Sequence, residues 1–161
     1  MDHLYAPWRS EYFGSKPAGC PFCNISITKN DKEHFVLYRD EICFIVMNLY
    51  PYTPAHFMII PHQHTDKLED LPEADWIHMT KLAHKGVKLL KTELKAHGVN
   101  IGMNLGECAG AGVAEHIHLH LVPRFCKDTN FITAISGARV YGTDFHQIYK
   151  KLLDLAPRYF E

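Results

Sequence analysis

The sequence predicts an α+β fold: an antiparallel sheet of about five strands, with one long helix and a C-terminal helix packed against it. Three observations lead there. Five short segments are rich in β-branched and aromatic residues and are separated by turn-forming ones. One long apolar stripe at three- and four-residue steps lies between the third segment and the fourth. The resulting order β, β, β, α, β, β has joins short enough for hairpins, which link antiparallel neighbours.

The elements follow in order. Pro7, Gly14, Pro17 and Gly19 in the first twenty residues predict a short helix or turn, then a loop delivering Cys20-Pro-Phe-Cys23. Residues 34–39 and 42–47 read as strands, joined by a tight turn at Asp40-Glu41. Residues 48–54 hold two prolines and two tyrosines and read as a loop. Residues 56–61 form the third strand. The stripe Trp76, Met79, Ala83, Val87, Leu90 and Leu94 is the long helix, with Pro72 near its start and Gly98 as its stop. Residues 99–105 form the fourth strand, 106–112 a glycine-rich stretch and 116–122 the fifth strand. Phe145, Ile148, Leu152 and Leu155 mark a short C-terminal helix. Without repeats or a low-complexity linker, residues 1–161 read as a single domain.

Composition narrows the function classes. The chain has 161 residues, and 47% of them are hydrophobic, enough for a core of its own. The formal net charge of -1 supplies no basic field for nucleic acid or a membrane surface. No run approaches the roughly 20 apolar residues of a membrane span. The opening Met-Asp-His-Leu-Tyr-Ala lacks the apolar stretch of a secretion signal, so a cytoplasmic protein is expected. Five cysteines, an odd number, argue against a disulfide framework. Twelve histidines are many for this length and are the first sign of chemistry.

The fifth strand concentrates them. In His116-Ile-His118-Leu-His120-Leu-Val, alternation sends Ile117, Leu119 and Leu121 to one face and three imidazoles to the other, with neighbours about 6.5–7 Å apart. Three readings are open. The face is solvated and happens to be histidine-rich, or two of the rings are corners of a metal site. Otherwise one neutral imidazole attacks phosphorus while its neighbours orient it and bind oxygens. The preceding glycine-rich stretch could then supply backbone N–H groups to an anion.

This run resembles the His-φ-His-φ-His-φ-φ signature of the histidine triad superfamily, φ being apolar. The segment Asn48-Leu-Tyr-Pro51-Tyr-Thr-Pro54-Ala-His56-Phe-Met-Ile-Ile-Pro61-His-Gln-His64 resembles that family's first block, and Asn104-Leu-Gly precedes the glycines as it does there. Within the superfamily the chain is most similar to the bacterial diadenosine tetraphosphate phosphorylase-like branch, through Tyr5-Ala-Pro7-Trp8-Arg9, Cys20-Pro-Phe-Cys23, Ala109-Gly-Ala-Gly112, Val122-Pro-Arg124 and Asn130-Phe.

The resemblance implies a nucleotidyl hydrolase or transferase that cleaves adenine (di)nucleotides at the α-phosphate through a nucleotidyl-histidine. Diadenosine tetraphosphate phosphorolysis is the specific form it suggests. Purine nucleoside phosphoramidase, a weakly active nucleotide-binding regulator and a zinc hydrolase are the alternatives. His118 is implied as nucleophile, with His120 on phosphate or the leaving group, His116 in support and His56 packed against them. Asn48, Asn104, Gly110 and Gly112 are implied at the ribose and phosphates. Asn48 stands where many relatives have aspartate. Gly112 and Val113 replace polar residues of the hydrolase branches, which leaves room for a phosphate acceptor. A homodimer is implied as well, and no organic cofactor.

Cys20 and Cys23 offer two soft ligands at zinc-knuckle spacing. A redox pair and two plain thiols are the alternatives; the βαβ setting of a redox pair is absent. The resemblance completes a structural zinc site with His64 and His116, His62 being the substitute for His64. His78, His84 and His97 read as solvated or capping helix residues. Cys43 and Cys108 read as buried small apolar residues. Tyr50 and Tyr52 either line the nucleotide entrance or pack their loop. Arg124 meets either phosphate or a structural partner.

Overall fold

A computed structural model describes residues 19–28, 30–126, 131, 135 and 142–161. The elements are α1 (Pro21–Thr28), β1 (Val36–Arg39), β2 (Cys43–Met47), β3 (Phe57–Pro61), α2 (Glu73–Glu93), β4 (Gly98–Gly102), β5 (Leu119–Arg124) and α3 (Phe145–Phe160). The strands form one antiparallel sheet in the order β1-β2-β3-β5-β4. The α+β expectation therefore holds, with both helical stretches where the stripes put them. Among the described residues no helix is long and apolar enough to cross a membrane.

The sheet is covered unequally. On one face α2 and α3 bury the main core, where Met79, Leu89 and Leu90 meet Ile45, Phe57, Ile59 and Leu121. Ile117, Leu119 and Leu121 all point into this core, as the alternation requires. On the other face α1 lays Phe22 over a smaller apolar cluster of Val36, Phe44, Val46, Met58 and Ile60. Strand β2 is thus buried on both sides, which is why its sequence is unbroken apolar. Gly86 of α2 sits directly behind the histidine strand. A Cβ there would lie 2.9 Å from Leu121 Cδ2 and 3.0 Å from Phe57 Cζ, so glycine sets how closely helix and sheet approach.

Several boundaries differ from expectation. The loop expected to carry Cys23 is helix α1, whose proline opens it at its first residue. The short helix or turn expected earlier lies outside the described residues. Strand β1 starts only at Val36, because Phe35 takes φ 58° and breaks the extended chain. Gly98 does not stop α2. The chain leaves that helix through Lys95 at φ 57°, and Gly98 opens β4 opposite Arg124. The fourth strand ends at Gly102 and the fifth begins at Leu119, so His116 and His118 lie in the segment just before the ladder. The C-terminal helix runs for 16 residues, and Asp144 caps it by accepting the Gln147 N–H at 2.8 Å.

Candidate active site

The sheet register gathers the predicted histidines. Gly102, His120 and Met58 are direct partners across β4, β5 and β3. One step along, His56 follows the left-handed Ala55 and enters β3 fully buried. Two residues before His120 comes His118, 5% exposed, and two before that His116, with no exposure at all. His120 of β5 and the two rings of the segment before it therefore form a column, with His56 beside His120.

Hydrogen bonds assign the ring protons. Pro61 O accepts from His116 Nε2 at 3.0 Å, which leaves His116 Nδ1 as the bare nitrogen. His116 O accepts from His118 Nδ1 at 2.9 Å, so His118 Nε2 carries the lone pair. The Tyr52 N–H donates to His56 Nδ1 at 3.2 Å; His56 Nε2–H then donates to His120 Nδ1 at 2.9 Å. His120 consequently offers its Nε2–H outward as a donor. The His118 and His120 rings meet edge-on with centroids 4.8 Å apart.

Burial keeps this column neutral. It lowers the pKa of His116 and of His118, in the latter against the opposing pull of the His116 carbonyl. It brings His120 down to about 4, with His118 as the second cause. A neutral imidazole with a fixed Nδ1–H and a bare Nε2 is a nucleophile at neutral pH.

The remaining predicted residues divide. Asn48 engages both ends of its amide locally: Nδ2 donates to His56 Nδ1 at 3.3 Å and Oδ1 accepts from Tyr50 N–H at 2.9 Å. Asn104 Nδ2 donates to Gly110 O at 3.4 Å and so ties the loop to the end of β4. Gly106 and Gly110 take φ 83° and 89°, a conformation that needs glycine. The N–H groups of Ala109, Gly110 and Ala111 close turns within this loop, and Gly112 stands exposed beyond them. Tyr52 stacks on His56 at 5.0 Å. Arg124 donates to Asn100 Oδ1 at 3.3 Å. Cys43 is buried as expected, but Cys108 is exposed. His78 is neither solvated nor a cap, since it pairs with Asp40 at 2.6 Å. One functional neighbour was missed: Phe22 packs its ring 5.5 Å from His116 and 5.1 Å from His118. The Cys-Pro-Phe-Cys spacing was its only signal in the sequence.

Cys20, Cys23, His64 and His116 bring four ligand atoms within 4.8 Å of one another. The His116 Nδ1 lies 3.3 Å from Cys20 Sγ, 3.7 Å from Cys23 Sγ and 3.3 Å from His64 Nδ1; Cys23 Sγ is 3.2 Å from His64 Nδ1. Tetrahedral zinc with ordinary Zn–S and Zn–N bonds needs edges of about 3.3–3.8 Å. The donor set fits that ion in both chemistry and spacing. Burial, with the Cys20 thiol beside it, pushes the Cys23 thiol up to about 11, a charge cost that a divalent cation would offset. His62 is not in the cluster, because it bonds Ser26 Oγ at 2.7 Å and Asp40 O at 3.0 Å.

The chain is similar to known proteins over most of its length. The chain is 35% identical over 150 residues to an AP-4-A phosphorylase of Mycobacterium tuberculosis, covering 87% of this chain and 76% of the relative. It is 30% identical over 137 residues to an adenosine 5'-monophosphoramidase of Candida albicans, covering 83% and 86%. A crystal structure of a Zn-bound histidine triad family protein from Mycobacterium smegmatis superposes with a TM-score of 0.70 at 29% identity, over 87% of this chain and 94% of the other. The HIT domain family matches residues 29–127. That segment is more than half of the molecule and holds all the clustered histidines, and the chain belongs to the HIT domain family.

Proposed function

We propose that this protein is a nucleotide hydrolase or nucleotidyltransferase that cleaves adenine (di)nucleotides at the α-phosphate, with His118 as the nucleophile. One observation carries the reading: the His118 Nδ1–H is held by the His116 carbonyl at 2.9 Å, so Nε2 keeps its lone pair. That pair forms an N–P bond as the P–O bond to the leaving group breaks, and the leaving oxygen takes the bonding electrons. In this reading the Nε2–H of His120, whose Nδ1 accepts from His56, hydrogen-bonds a phosphoryl or leaving oxygen. An acceptor oxygen then attacks the same phosphorus, and His118 leaves with its lone pair restored.

The similarity to an AP-4-A phosphorylase supports diadenosine tetraphosphate as substrate and phosphate as acceptor. The side chains absent at Gly112 favour the same acceptor. The similarity to an adenosine 5'-monophosphoramidase keeps nucleoside phosphoramidates as the second reading. Product identification decides between them. With diadenosine tetraphosphate, phosphorolysis gives ATP and ADP only when inorganic phosphate is present, whereas hydrolysis gives AMP without it. Release of neither product pair would overturn the assignment.

Cys20, Cys23, His64 and His116 hold one structural zinc ion in this reading. When bound, zinc supplies a cross-link between α1 and the segment before β5. The chain's own part is to keep Phe22 against His118 and to fix the His116 backbone, whose carbonyl orients the nucleophile. A cytoplasmic homodimer is the proposed working form. The edge position of β4 and its half-exposed Ile101 support a self-association surface there.

A further inference from the structure

The outer face of the sheet is divided at His120. On the β2–β3 side it is apolar, through Val46 and Met58 in the same row. On the β4 side that row ends in Gly102, where a Cβ would meet no other atom within 4 Å. An open trench of about 220 Å³ lies there, lined among others by Tyr52, Asn100, Gly102, Asn104, His120 and Val122. Asn100 is paired across the strands with Val122, and Arg124 donates to its Oδ1. That bond turns the two N–H donors of the Asn100 amide away from Arg124. The trench thus joins the outward Nε2–H of His120 to two asparagine amides, with a guanidinium behind one of them and an exposed tyrosine at its rim.

We infer that this trench is the leaving-group subsite of the enzyme, and that it takes the phosphate chain departing from the α-phosphorus, with Asn100 as a specificity-determining residue. Amide and imidazole N–H groups suit phosphate oxygens, and the arginine lies one strand position beyond them. Gly102 matters by its size: any side chain there would project into the trench next to His120. The inference rests on the proposed nucleotidyl transfer at His118 and specifies which substrates exploit it. A dinucleoside polyphosphate, whose leaving group is a nucleoside polyphosphate, needs the trench. An adenosine phosphoramidate, whose leaving group is ammonia, does not.

Asn100→Asp exchanges donors for a repelling carboxylate at equal size and can still pair with Arg124. Its kcat/KM for diadenosine tetraphosphate should fall at least tenfold, mainly through KM, while that for adenosine 5'-phosphoramidate changes less than twofold. Gly102→Val should act in the same direction. Equal losses on both substrates, or no loss on either, would overturn the subsite. Calorimetry on His118→Asn protein gives a readout without turnover: Asn100→Asp added to it should weaken diadenosine tetraphosphate but not AMP. If that selective weakening is found while the wild-type protein turns over neither substrate, the trench stands and the catalytic reading is overturned. Equal weakening of both ligands would overturn the trench.

Discussion

The imidazole Nδ1–H of His118 is bonded to the backbone carbonyl of His116, 2.9 Å away, while the His116 ring turns to the cysteine cluster. The nucleophile candidate and the metal-site candidate are therefore coupled through a single residue.

Removing the proposed nucleophile should abolish turnover without unfolding the chain. His118→Ala is expected to lower kcat on diadenosine tetraphosphate or adenosine phosphoramidate by at least about a thousandfold, the range typical when a covalent nucleophile is lost. Circular dichroism should remain that of the wild type, since the hydrogen bond of this ring is local, to the backbone two residues earlier. Activity within tenfold of wild type would remove His118 from the mechanism.

Metal content tests the four-ligand cluster. Protein purified without chelators should carry about one zinc per chain, and Cys23→Ala should bring it below about 0.2. With the proposed ion lost, α1 should loosen, Phe22 should leave the histidine column and thermal stability should drop. A zinc-free wild type of unchanged stability would defeat the assignment.

Acid should destabilise the fold before it hydrolyses anything. His120 has a pKa of about 4 in the folded chain, below the ordinary value of 6.5. Above pH 6.5 neither the folded nor the unfolded state carries this proton, and stability is unaffected. Between 6.5 and 4 the unfolded state binds it first, so stability is lost as pH falls, on the order of 2 kcal/mol by pH 5. Burial of His118 pushes in the same direction. Urea denaturation at pH 7.5 and pH 5.0 measures the loss, and His120→Gln should reduce it.

Gly86 offers a purely steric test. Phe57 and Leu121 are fully buried, and both press on the site of the absent side chain. Gly86→Val is expected to cost about 2–3 kcal/mol through overpacking, despite removing a helical glycine. Because Leu121 neighbours His120 in the chain, kcat should fall as well. Calorimetric melting together with the steady-state rate would check both.

The strands show what periodicity can carry. Alternation in residues 116–122 assigned each side chain to its face, and the structure agrees down to Ile117, Leu119 and Leu121 in the core. The stripe of α2 was equally readable, because a helix that packs on one side must repeat every three to four residues. Boundaries were less readable. Phe35 and Lys95 adopt left-handed backbone conformations that their residue types do not announce, and they moved the ends of β1 and α2.

The sequence alone determined the chemistry available: three alternating imidazoles, a cysteine pair and the sheet that would present them. Only the tertiary structure decided which atoms meet. It brought His56 to His120, His64 to Cys23 and Phe22 to His118 from distant parts of the chain. Such pairings depend on strand order and register, which are fixed by burying both faces of the sheet at once and not by any local preference of the chain.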